Sequence, residues 1–478
     1  MNYQMVIGLE VHVELSTKSK IFCSCTTEFG GEPNTHVCPV CSGMPGVLPV
    51  LNKKVVDFAI SAGLATNCEI TRYNKFDRKN YFYPDLPKAY QVSQLYLPIC
   101  RNGKVEIEVN GEKKHIGIHE IHMEEDAGKL VHDPWDDCTL VDYNRCGVPL
   151  LEIVSEPDFR SADEVIAYLT KLRETMMYLG VSDCKMQEGS MRADVNISVM
   201  PVGSSKFGTR TEMKNMNSFK AIYRAINYEA QRQIELLEAG GVVTQETRRW
   251  DDNKDASFAM RSKENAQDYR YFPEPDLLPI EISEDWINTA RKNMPELPDV
   301  KRARYIKDFG LSEYDASVIT SERQIAYLFE DIVKLSNEPK EACNLIMGEL
   351  MRLMSDTATL AEDVEMDPQK IADLIKLIID GKINRTVGKE VFEEIFRNNI
   401  EPVMYVEEKG LLMLNDDVLI EKTIDEVIAN NPKSVEDLKA GKDKAKGFLV
   451  GQTMAALKGK ANPQTVNKIL DDKLSKLL

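Results

Sequence analysis

The feature that most constrains this sequence is a strict alternation of apolar and polar residues near its beginning. Apolar side chains occupy positions 7, 9, 11, 13 and 15, and Glu10, His12 and Glu14 stand between them. Because successive side chains of a β-strand point to opposite faces, this stretch predicts a strand with one buried face and one acidic face. A solvated edge strand fits the same spacing, but acids around a histidine favour a divalent-metal or proton-transfer site.

A second alternation predicts a β-hairpin with a charged face. It covers residues 191–199 and, beyond a loop that contains two glycines, residues 210–214. Its polar positions are Arg192, Asp194, Asn196, Arg210, Glu212 and Lys214. So many charges of both signs favour a binding surface, although a salt-bridged outer face is the alternative interpretation. Glu124, Glu125 and Asp126 add a third acidic cluster.

Four of the ten cysteines form two closely spaced pairs. Cys23 and Cys25 are followed, 12 residues later, by Cys38 and Cys41. Two such pairs on turns can converge on one tetrahedral zinc ion, and we favour this over four unrelated buried thiols. With four cysteine ligands there is no open coordination position, so the spacing predicts a structural Zn²⁺ site.

The pattern of the chain changes near Pro295 and Pro298, which neither a helix interior nor a central strand tolerates well. Before this point, strand-like alternation is mixed with a few helices, one of them from Ser161 to Leu179. After it the pattern is almost wholly helical. We therefore predict an α+β fold in which a mixed or antiparallel sheet domain (1–294) precedes a helical domain (295–407) and a small helical tail domain (408–478).

Charge is unevenly distributed along the 478 residues. The formal net charge is −17, whereas the last 46 residues contain ten lysines and five acids, a balance of +5. A basic tail on an acidic body is compatible with local contact to nucleic-acid phosphates. No apolar run approaches the roughly 18 residues of a membrane span, and the beginning does not resemble a signal peptide, so we expect a cytoplasmic protein without a membrane partner.

The sequence contains neither a Walker-type phosphate loop nor a strand-borne G-x-G-x-x-G motif. If the chain uses ATP, the phosphates must be held by Mg²⁺ on carboxylates and by cationic side chains. The candidate cations are Arg78, Lys79, Arg192, Arg210 and Lys214.

Seven stretches resemble the B subunit family of the glutamyl/aspartyl-tRNA amidotransferases. They are GLEVHVEL at 8–15, FDRKNYFYPD at 76–85, HMEEDAGK at 122–129, GVPLLEIVSEPD at 147–158, EGSMRAD at 188–194, DYRYFPEPD at 268–276 and GFLVGQ at 447–452. The resemblance spans the chain, and it implies a cradle-like catalytic domain followed by helical domains.

The resemblance also implies a function. Proteins of this family use ATP to phosphorylate the side-chain carboxylate of glutamate or aspartate on a misacylated tRNA, and ammonia then displaces the phosphate. The implied partners are an amidase (the glutaminase component, which releases ammonia from glutamine), a small third component of the heterotrimer and the tRNA. The candidate catalytic residues are Glu10, His12, Glu124, Glu125, Asp194 and Glu212, of which Glu10, His12 and Glu125 are candidate Mg²⁺ ligands. The candidate tRNA contacts in the basic tail are Lys442, Lys444, Lys446, Lys458 and Lys460.

Two other interpretations remain open at the level of sequence. One is an amidase acting alone, for which Cys146 beside Arg145 is a weak candidate nucleophile. The other is a non-catalytic, zinc-stabilised tRNA-binding protein. Acidic faces of the predicted strands that lie on separate outer surfaces would favour this second interpretation, whereas faces that converge in a pocket would favour a catalytic site.

Overall fold

The structure is a computed structural model that describes residues 2–133, 135–262, 268–413, 417–439, 444–457, 461 and 463–477. The chain divides into two compact units, Met1–Pro298 and Asp299–Leu478. Each unit has its own hydrophobic core.

The first unit contains sixteen strands and four helices in its described part. The strands are β1 (Tyr3–Glu14), β2 (Glu69–Ile70), β3 (Tyr73–Asn74), β4 (Asp77–Asn80), β5 (Tyr90–Ser93), β6 (Cys100–Val109), β7 (Glu112–Glu125), β8 (Lys129–His132), β9 (Thr139–Asp142), β10 (Pro149–Ser155), β11 (Met191–Pro201), β12 (Thr211–Lys214), β13 (Glu246–Asp251), β14 (Ala256–Ser262), β15 (Phe272–Pro273) and β16 (Ile280–Glu281). The helices are α1 (Lys53–Ala65), α2 (Ala162–Leu179), α3 (Phe219–Glu238) and α4 (Glu284–Asn293).

Nine strands form one mixed sheet in the order β14-β13-β12-β11-β1-β10-β7-β6-β2. Neighbouring strands are antiparallel except for β12 and β13, which are parallel. Three smaller sheets have the orders β15-β4-β5, β16-β3 and β8-β9. The predicted α+β class with a mixed or antiparallel sheet is therefore confirmed.

The apolar positions of β1 enter the core, as the alternation predicted. Ile7, Leu9 and Val11 are at most 1% exposed, and they share a core with apolar residues of α2 such as Val165 and Leu169. The helical layer covers this face of the sheet, and the polar positions of β1 therefore lie on the other face.

The ends of α2 follow from its sequence. Ser161 caps the N-terminus by accepting a hydrogen bond from the backbone N–H of Glu164, and the Glu164 carboxylate accepts from the N–H of Arg160. Gly180 ends the helix in the left-handed conformation at φ 66°, which glycine adopts without strain.

In its described part, the second unit is wholly helical. Its helices are α5 (Pro298–Phe309), α6 (Glu313–Ser321), α7 (Arg323–Ser336), α8 (Pro339–Leu345), a π-helical turn (Ile346–Leu350), α9 (Met351–Thr357), a 3-10 turn (Ala361–Asp363), α10 (Pro368–Ile379), α11 (Arg385–Asn398), α12 (Pro402–Glu408), α13 (Asp417–Asn430), α14 (Pro432–Lys439), α15 (Lys444–Ala456) and α16 (Pro463–Leu477). One core involves residues 305–411 and a separate core involves residues 420–474. The predicted division into domains at 1–294, 295–407 and 408–478, with a role for each, stays a prediction. No helix among the described residues has the length and apolar character needed to cross a membrane.

Candidate active site

Three carboxylates converge where β1, β11 and β12 lie side by side. Glu10 is the direct cross-strand partner of Asp194. Glu212 pairs with Asn196, which lies two residues after Asp194 on the same face of β11. Each of the three acids offers an oxygen within 4.8 Å of the others. We call Glu10, Asp194 and Glu212 the carboxylate triad.

Polar neighbours hold the carboxylate triad in place. The amide of Asn196 donates a 2.9 Å hydrogen bond to Glu10, and the Lys214 ammonium contacts Asp194 and lies 3.1 Å from Glu212. Burial and the nearby carboxylates raise the pKa of Glu10 above its ordinary value. Burial lowers the pKa of Lys214, but the charges of Asp194 and Glu212 outweigh it and raise that pKa to about 12. The carboxylate triad therefore carries excess negative charge that attracts a cation.

A second group lies further along the same face of the sheet. His12 on β1 faces Glu152 on β10, which in turn faces His122 on β7. Nε2 of His12 lies 3.5 Å from Glu124 and 3.6 Å from Glu152, while Nε2 of His122 lies 2.7 Å from Glu152. We call His12, Glu124 and Glu152 the histidine–carboxylate group, whose potential ligand atoms also lie within 4.8 Å of one another.

Neighbouring charges strongly shift the pKa values in the histidine–carboxylate group and of His122 beside it. Burial disfavours the imidazolium form of both His12 and His122, but Glu152 and the other nearby acids outweigh it and raise both pKa values. Burial disfavours the charged form of Glu152, but the two histidines hold its pKa well below the ordinary range. Such perturbed groups on one face are typical of functional sites.

Strand β4, in the small sheet β15-β4-β5, brings Lys79 close to this group. Lys79 is partly buried beside the rings of Tyr81 and Tyr269, and burial opposes its charge, but Glu124 and Glu152 raise its pKa. Among the described residues, no carboxylate lies within salt-bridge distance of Lys79. Its charge is therefore available to an anionic ligand.

The neighbouring Arg78 is already engaged. Its guanidinium binds both oxygens of Glu274, at 2.7 and 2.8 Å, and lies 3.2 Å from Asp276. A bidentate pair of this kind fixes the side chain, so Arg78 has a clear structural role.

Glu125 lies apart from both groups, because neighbouring residues of β7 point to opposite faces. Its carboxylate contacts Lys88 and accepts a 2.9 Å hydrogen bond from the backbone N–H of Val92. It belongs to neither set of convergent ligand atoms among the described residues. This arrangement favours Glu152 over Glu125 as a partner of His12.

Arg192 projects from β11 beside His12, its cross-strand partner. It forms a 2.9 Å ion pair with Asp126 and lies 3.7 Å from Glu14. Burial, together with the charge of Asp126 and a hydrogen bond to it, raises the pKa of Glu14 to about 8. The titration of Glu14 is thus brought close to neutral pH, with Asp126 and Arg192 beside it.

Arg210 is exposed immediately before β12 and lines a cavity of about 260 Å³ on the polar face. Glu10, Asn196 and Gly208 line the same cavity. The cavity therefore opens beside the carboxylate triad and has a cation at its wall.

The four clustered cysteines come together in space. Their Sγ atoms lie within 4.8 Å of one another, and the backbone N–H of Cys38 donates a 3.2 Å hydrogen bond to Sγ of Cys41. Hydrogen bonding with Cys23 lowers the pKa of the Cys41 thiol, against the effect of burial. The cluster can hold one metal ion.

The basic tail is described only in part. Lys442, Lys458 and Lys460 lie outside the described residues. Lys444 is exposed at the start of α15, and Lys446 lies 2.7 Å from Asp471. The described tail therefore presents both exposed and ion-paired lysines.

Two features bear on the alternative interpretations. Cys146 is buried, and burial together with Glu125 raises its pKa to about 12, which is unfavourable for a thiolate nucleophile. Glu10, Glu124, Glu152, Asp194 and Glu212, on five strands of one sheet, share one face. Both features favour a catalytic metal-dependent site over the two alternatives.

Sequence reasoning missed Glu152 and His122 as site residues. Glu152 is the one charged residue within β10, in the run PLLEIVS. A single acid in an otherwise apolar buried strand is the signal that points to it. His122 carried a weaker signal, since it lies two residues before the predicted Glu124 on the same strand face.

Comparison with known proteins identifies the family of the chain. Residues 5–288 match the family model of the GatB/GatE catalytic domain, and residues 327–474 match that of the GatB domain. The B subunit of the aspartyl/glutamyl-tRNA(Asn/Gln) amidotransferase of Lachnoclostridium phytofermentans is 68% identical over 99% of both chains. The B subunits of the same name are 62% identical in Caldicellulosiruptor bescii, over the full length of both chains, and 63% identical in Agathobacter rectalis, over 98% of this chain and 99% of the relative. The chain therefore belongs to the B subunit family of the glutamine-dependent aspartyl/glutamyl-tRNA amidotransferases, which are ligases.

Proposed function

We propose that this chain activates the side-chain carboxylate of glutamate or aspartate on a misacylated tRNA with ATP, and converts it to the amide with ammonia. The observation that carries this proposal is the convergence of the carboxylate triad and the histidine–carboxylate group on one face of the sheet. Near-complete coverage by relatives named for this reaction supports the same choice.

The acids of the site fit the binding of Mg²⁺. Hard divalent cations prefer carboxylate oxygens, and the carboxylate triad offers three of them within 4.8 Å of one another. Burial and, after it, the charges of nearby carboxylates raise the pKa of Glu10, and a bound cation would favour its ionised form. We propose Glu10, Asp194 and Glu212 as one Mg²⁺ site and His12, Glu124 and Glu152 as a second. Bound Mg²⁺ would neutralise and align the phosphates of ATP.

Lysine and arginine side chains of the chain can neutralise the charge of the transferred phosphoryl group. In the first step a carboxylate oxygen of the aminoacyl group attacks the γ-phosphorus, and the bond to the bridging oxygen of ADP breaks. Because this nucleophile is already ionised at neutral pH, the site needs charge neutralisation and alignment more than a strong base. We propose that Lys79 and Arg210 contact phosphate oxygens, and that Lys214 and Arg192 fix the acids with which they form ion pairs.

In the second step ammonia attacks the acyl carbon of the mixed anhydride. The carbon–oxygen bond to phosphate breaks, and the attacking nitrogen loses a proton. We propose Glu14 as the acceptor of this proton, because a carboxylate with a pKa of about 8 is a suitable base near neutral pH.

The remaining roles follow from the same assignment. An amidase partner would supply ammonia, and a small third partner would complete the assembly. The basic tail would contact tRNA phosphates, and the cysteine cluster would hold a structural Zn²⁺. The proposed reaction belongs to the cytoplasm, where charged tRNA is used.

The test is reconstitution. Purified chain with its amidase partner is incubated with glutamyl-tRNA or aspartyl-tRNA, glutamine, Mg²⁺ and ATP, and the released amino acids are separated. We expect conversion to the amide only when ATP is present, and ADP formation that depends on the charged tRNA. Glutamine hydrolysis without any amide product, under conditions in which the tRNA stays charged, would contradict the proposal.

A further inference from the structure

Lys20 is a fully buried cation beside the cysteine cluster. Its side chain has no solvent exposure, and its Nζ lies 2.7 Å from the carbonyl oxygen of His36, 3.5 Å from that of Tyr143 and 3.7 Å from Sγ of Cys41. No carboxylate among the described residues lies within salt-bridge distance of it. Because a buried ammonium is costly unless an anion is near, its placement beside Cys41 favours negative charge at the cysteines.

We propose that Lys20 is the counter-ion of a zinc tetrathiolate formed by Cys23, Cys25, Cys38 and Cys41, an inference that rests on the proposed zinc site. A zinc dication with four thiolates has a formal charge of two minus. One ammonium in contact with Cys41 halves that charge. Lys20 and the anionic zinc tetrathiolate therefore stabilise each other.

Lys20 also joins the cysteine cluster to a distant part of the chain. Its acceptors belong to the cysteine loop, at His36 and Cys41, and to Tyr143, more than a hundred residues later. Three further contacts reinforce the junction. The backbone N–H of Ile21 donates to the carbonyl oxygen of Gly147, and the thiol of Cys146 lies 3.6 Å from the carbonyl oxygen of Cys41. The N–H of Gly147 donates to the backbone carbonyl oxygen of Asp126.

This last contact leads towards the candidate active site. Asp126 is the residue that pairs with Arg192 and lies 3.4 Å from Arg145. The turn at 143–147 is thus held by Lys20 on one side and contacts Asp126 on the other. We infer that Lys20 is a positioning residue through which metal binding orders this turn.

The first test measures zinc affinity in the full-length chain. Lys20→Met keeps the length of the side chain and removes its charge, Lys20→Arg restores a charge, and Lys18→Met is a matched control because Lys18 is exposed nearby. Competition with a chromophoric chelator gives the dissociation constant. We expect Lys20→Met to weaken zinc binding by roughly 10- to 100-fold, Lys20→Arg to recover part of it, and Lys18→Met to match wild type.

The outcomes separate the two proposals. Wild-type protein that binds no zinc overturns the zinc site itself. Wild-type protein that binds zinc, with Lys20→Met binding it equally tightly, overturns the role of Lys20 and leaves the zinc site standing.

The second test needs no variant and therefore does not depend on the folding of one. Hydrogen exchange of the backbone amides at 143–148 is compared in wild-type protein with zinc and after its removal by a chelator. We expect exchange at this turn to become faster without zinc, while α16 in the second unit keeps its rate. An unchanged rate at the turn overturns the linkage between metal binding and the turn.

Discussion

Glu10 and Asp194 face each other directly across the antiparallel strands β1 and β11. Like charges in such a cross-strand position destabilise a sheet. Here burial and the neighbouring acids raise the pKa of Glu10, which shows that its charged form is unfavourable in the folded chain. The proposed cation site is thus a place where, without a cation, the ionised carboxylates destabilise the sheet.

The first prediction concerns stability. Because the folded pKa of Glu10 is raised, its contribution is fully present below the unfolded pKa and is lost as pH rises through the folded value. Glu10→Gln removes the ionisable group and so avoids this loss. At pH 7 without Mg²⁺ we therefore expect the free energy of unfolding of the variant to be about 1 kcal/mol higher than that of wild type. The difference should vanish in acid, where Glu10 is protonated in both states. Denaturant unfolding measures it. Glu108→Gln, at an exposed position of β6, is the control, and a less stable Glu10→Gln chain at pH 7 would contradict the prediction.

The second prediction concerns catalysis. Glu10→Gln, Asp194→Asn and Glu152→Gln each remove a charge from the two groups proposed to hold Mg²⁺. We expect each to lower ATP-dependent amidation by roughly 100-fold or more, because electrostatic stabilisation is the main task of this site. Glutamine hydrolysis by the partner should be unchanged. Near-normal amidation by all three variants would refute the assignment.

Glu125 provides a comparison in the same assay. Its carboxylate is paired with Lys88 on the other side of β7, so Glu125→Gln leaves a buried ammonium without its anion. We expect this variant to lose stability, whereas Glu10→Gln gains it. Unfolding curves for the two variants, measured side by side, distinguish a structural acid from a metal-binding acid.

The third prediction concerns protonation around Glu152. The raised pKa values of His12 and His122 mean that their contribution to stability is present below about pH 6.5 and is lost as pH rises through the folded values. The depressed pKa of Glu152 means that its contribution is present above about pH 4.3 and is lost in acid. The three groups therefore stabilise the chain most between these limits.

Glu152→Gln should lower the pKa of His122, because burial is then opposed by fewer acids. Ring-proton NMR in buffer without Mg²⁺ measures it, and assignment is simple since the chain has six histidines. Exposed His115 on β7 is the internal control. A His122 titration that the substitution does not move would show that Glu152 is not its main partner.

The fourth prediction concerns zinc. As-purified chain should contain about one zinc ion, and Cys38→Ser should reduce the content, since a closed tetrahedral site needs all four ligands. Cys343→Ser, at a buried cysteine of the second unit, should leave it unchanged. Elemental analysis decides the matter, and undamaged wild-type protein without zinc would disprove the site.

The fifth prediction concerns the basic tail. Deleting residues from about 410 onward removes a segment whose last 46 residues carry a balance of +5. We expect a higher KM for charged tRNA and a flatter salt dependence, because lysines contact mainly phosphates. Glutamine hydrolysis and ATP binding should change little. An unchanged KM at several salt concentrations would mean that the lysines only solubilise the tail.

The parts of the fold that local sequence specifies were predictable. The alternation around Glu10 and around Asp194 indicated two strands with the correct polar faces, and Ser161 and Gly180 marked the ends of a helix. Alternation, capping and glycine preferences act over a few residues, so they can be recognised without knowing the fold.

The parts that depend on distant pairing were not predictable. Glu152 lies in a strand with apolar residues on both faces, so no alternation indicated which face its carboxylate would take. Lys79 approaches Glu124 only because the small sheet β15-β4-β5 lies next to β7, and the parallel pairing of β12 with β13 has no local signature. These relationships arise from tertiary packing rather than from periodicity.

The position of β1 in the sheet sets the order in which the molecule can be completed during synthesis. β1 precedes both of its neighbours, β10 and β11, by more than a hundred residues, and the hydrogen bond between Asn196 and Glu10 spans 186 residues. A growing chain therefore leaves one edge of β1 unpaired until β11, which ends at Pro201, has left the ribosome. Such long-range pairing slows folding and favours association with other chains, so this protein is expected to depend on chaperones until the first two hundred residues are free.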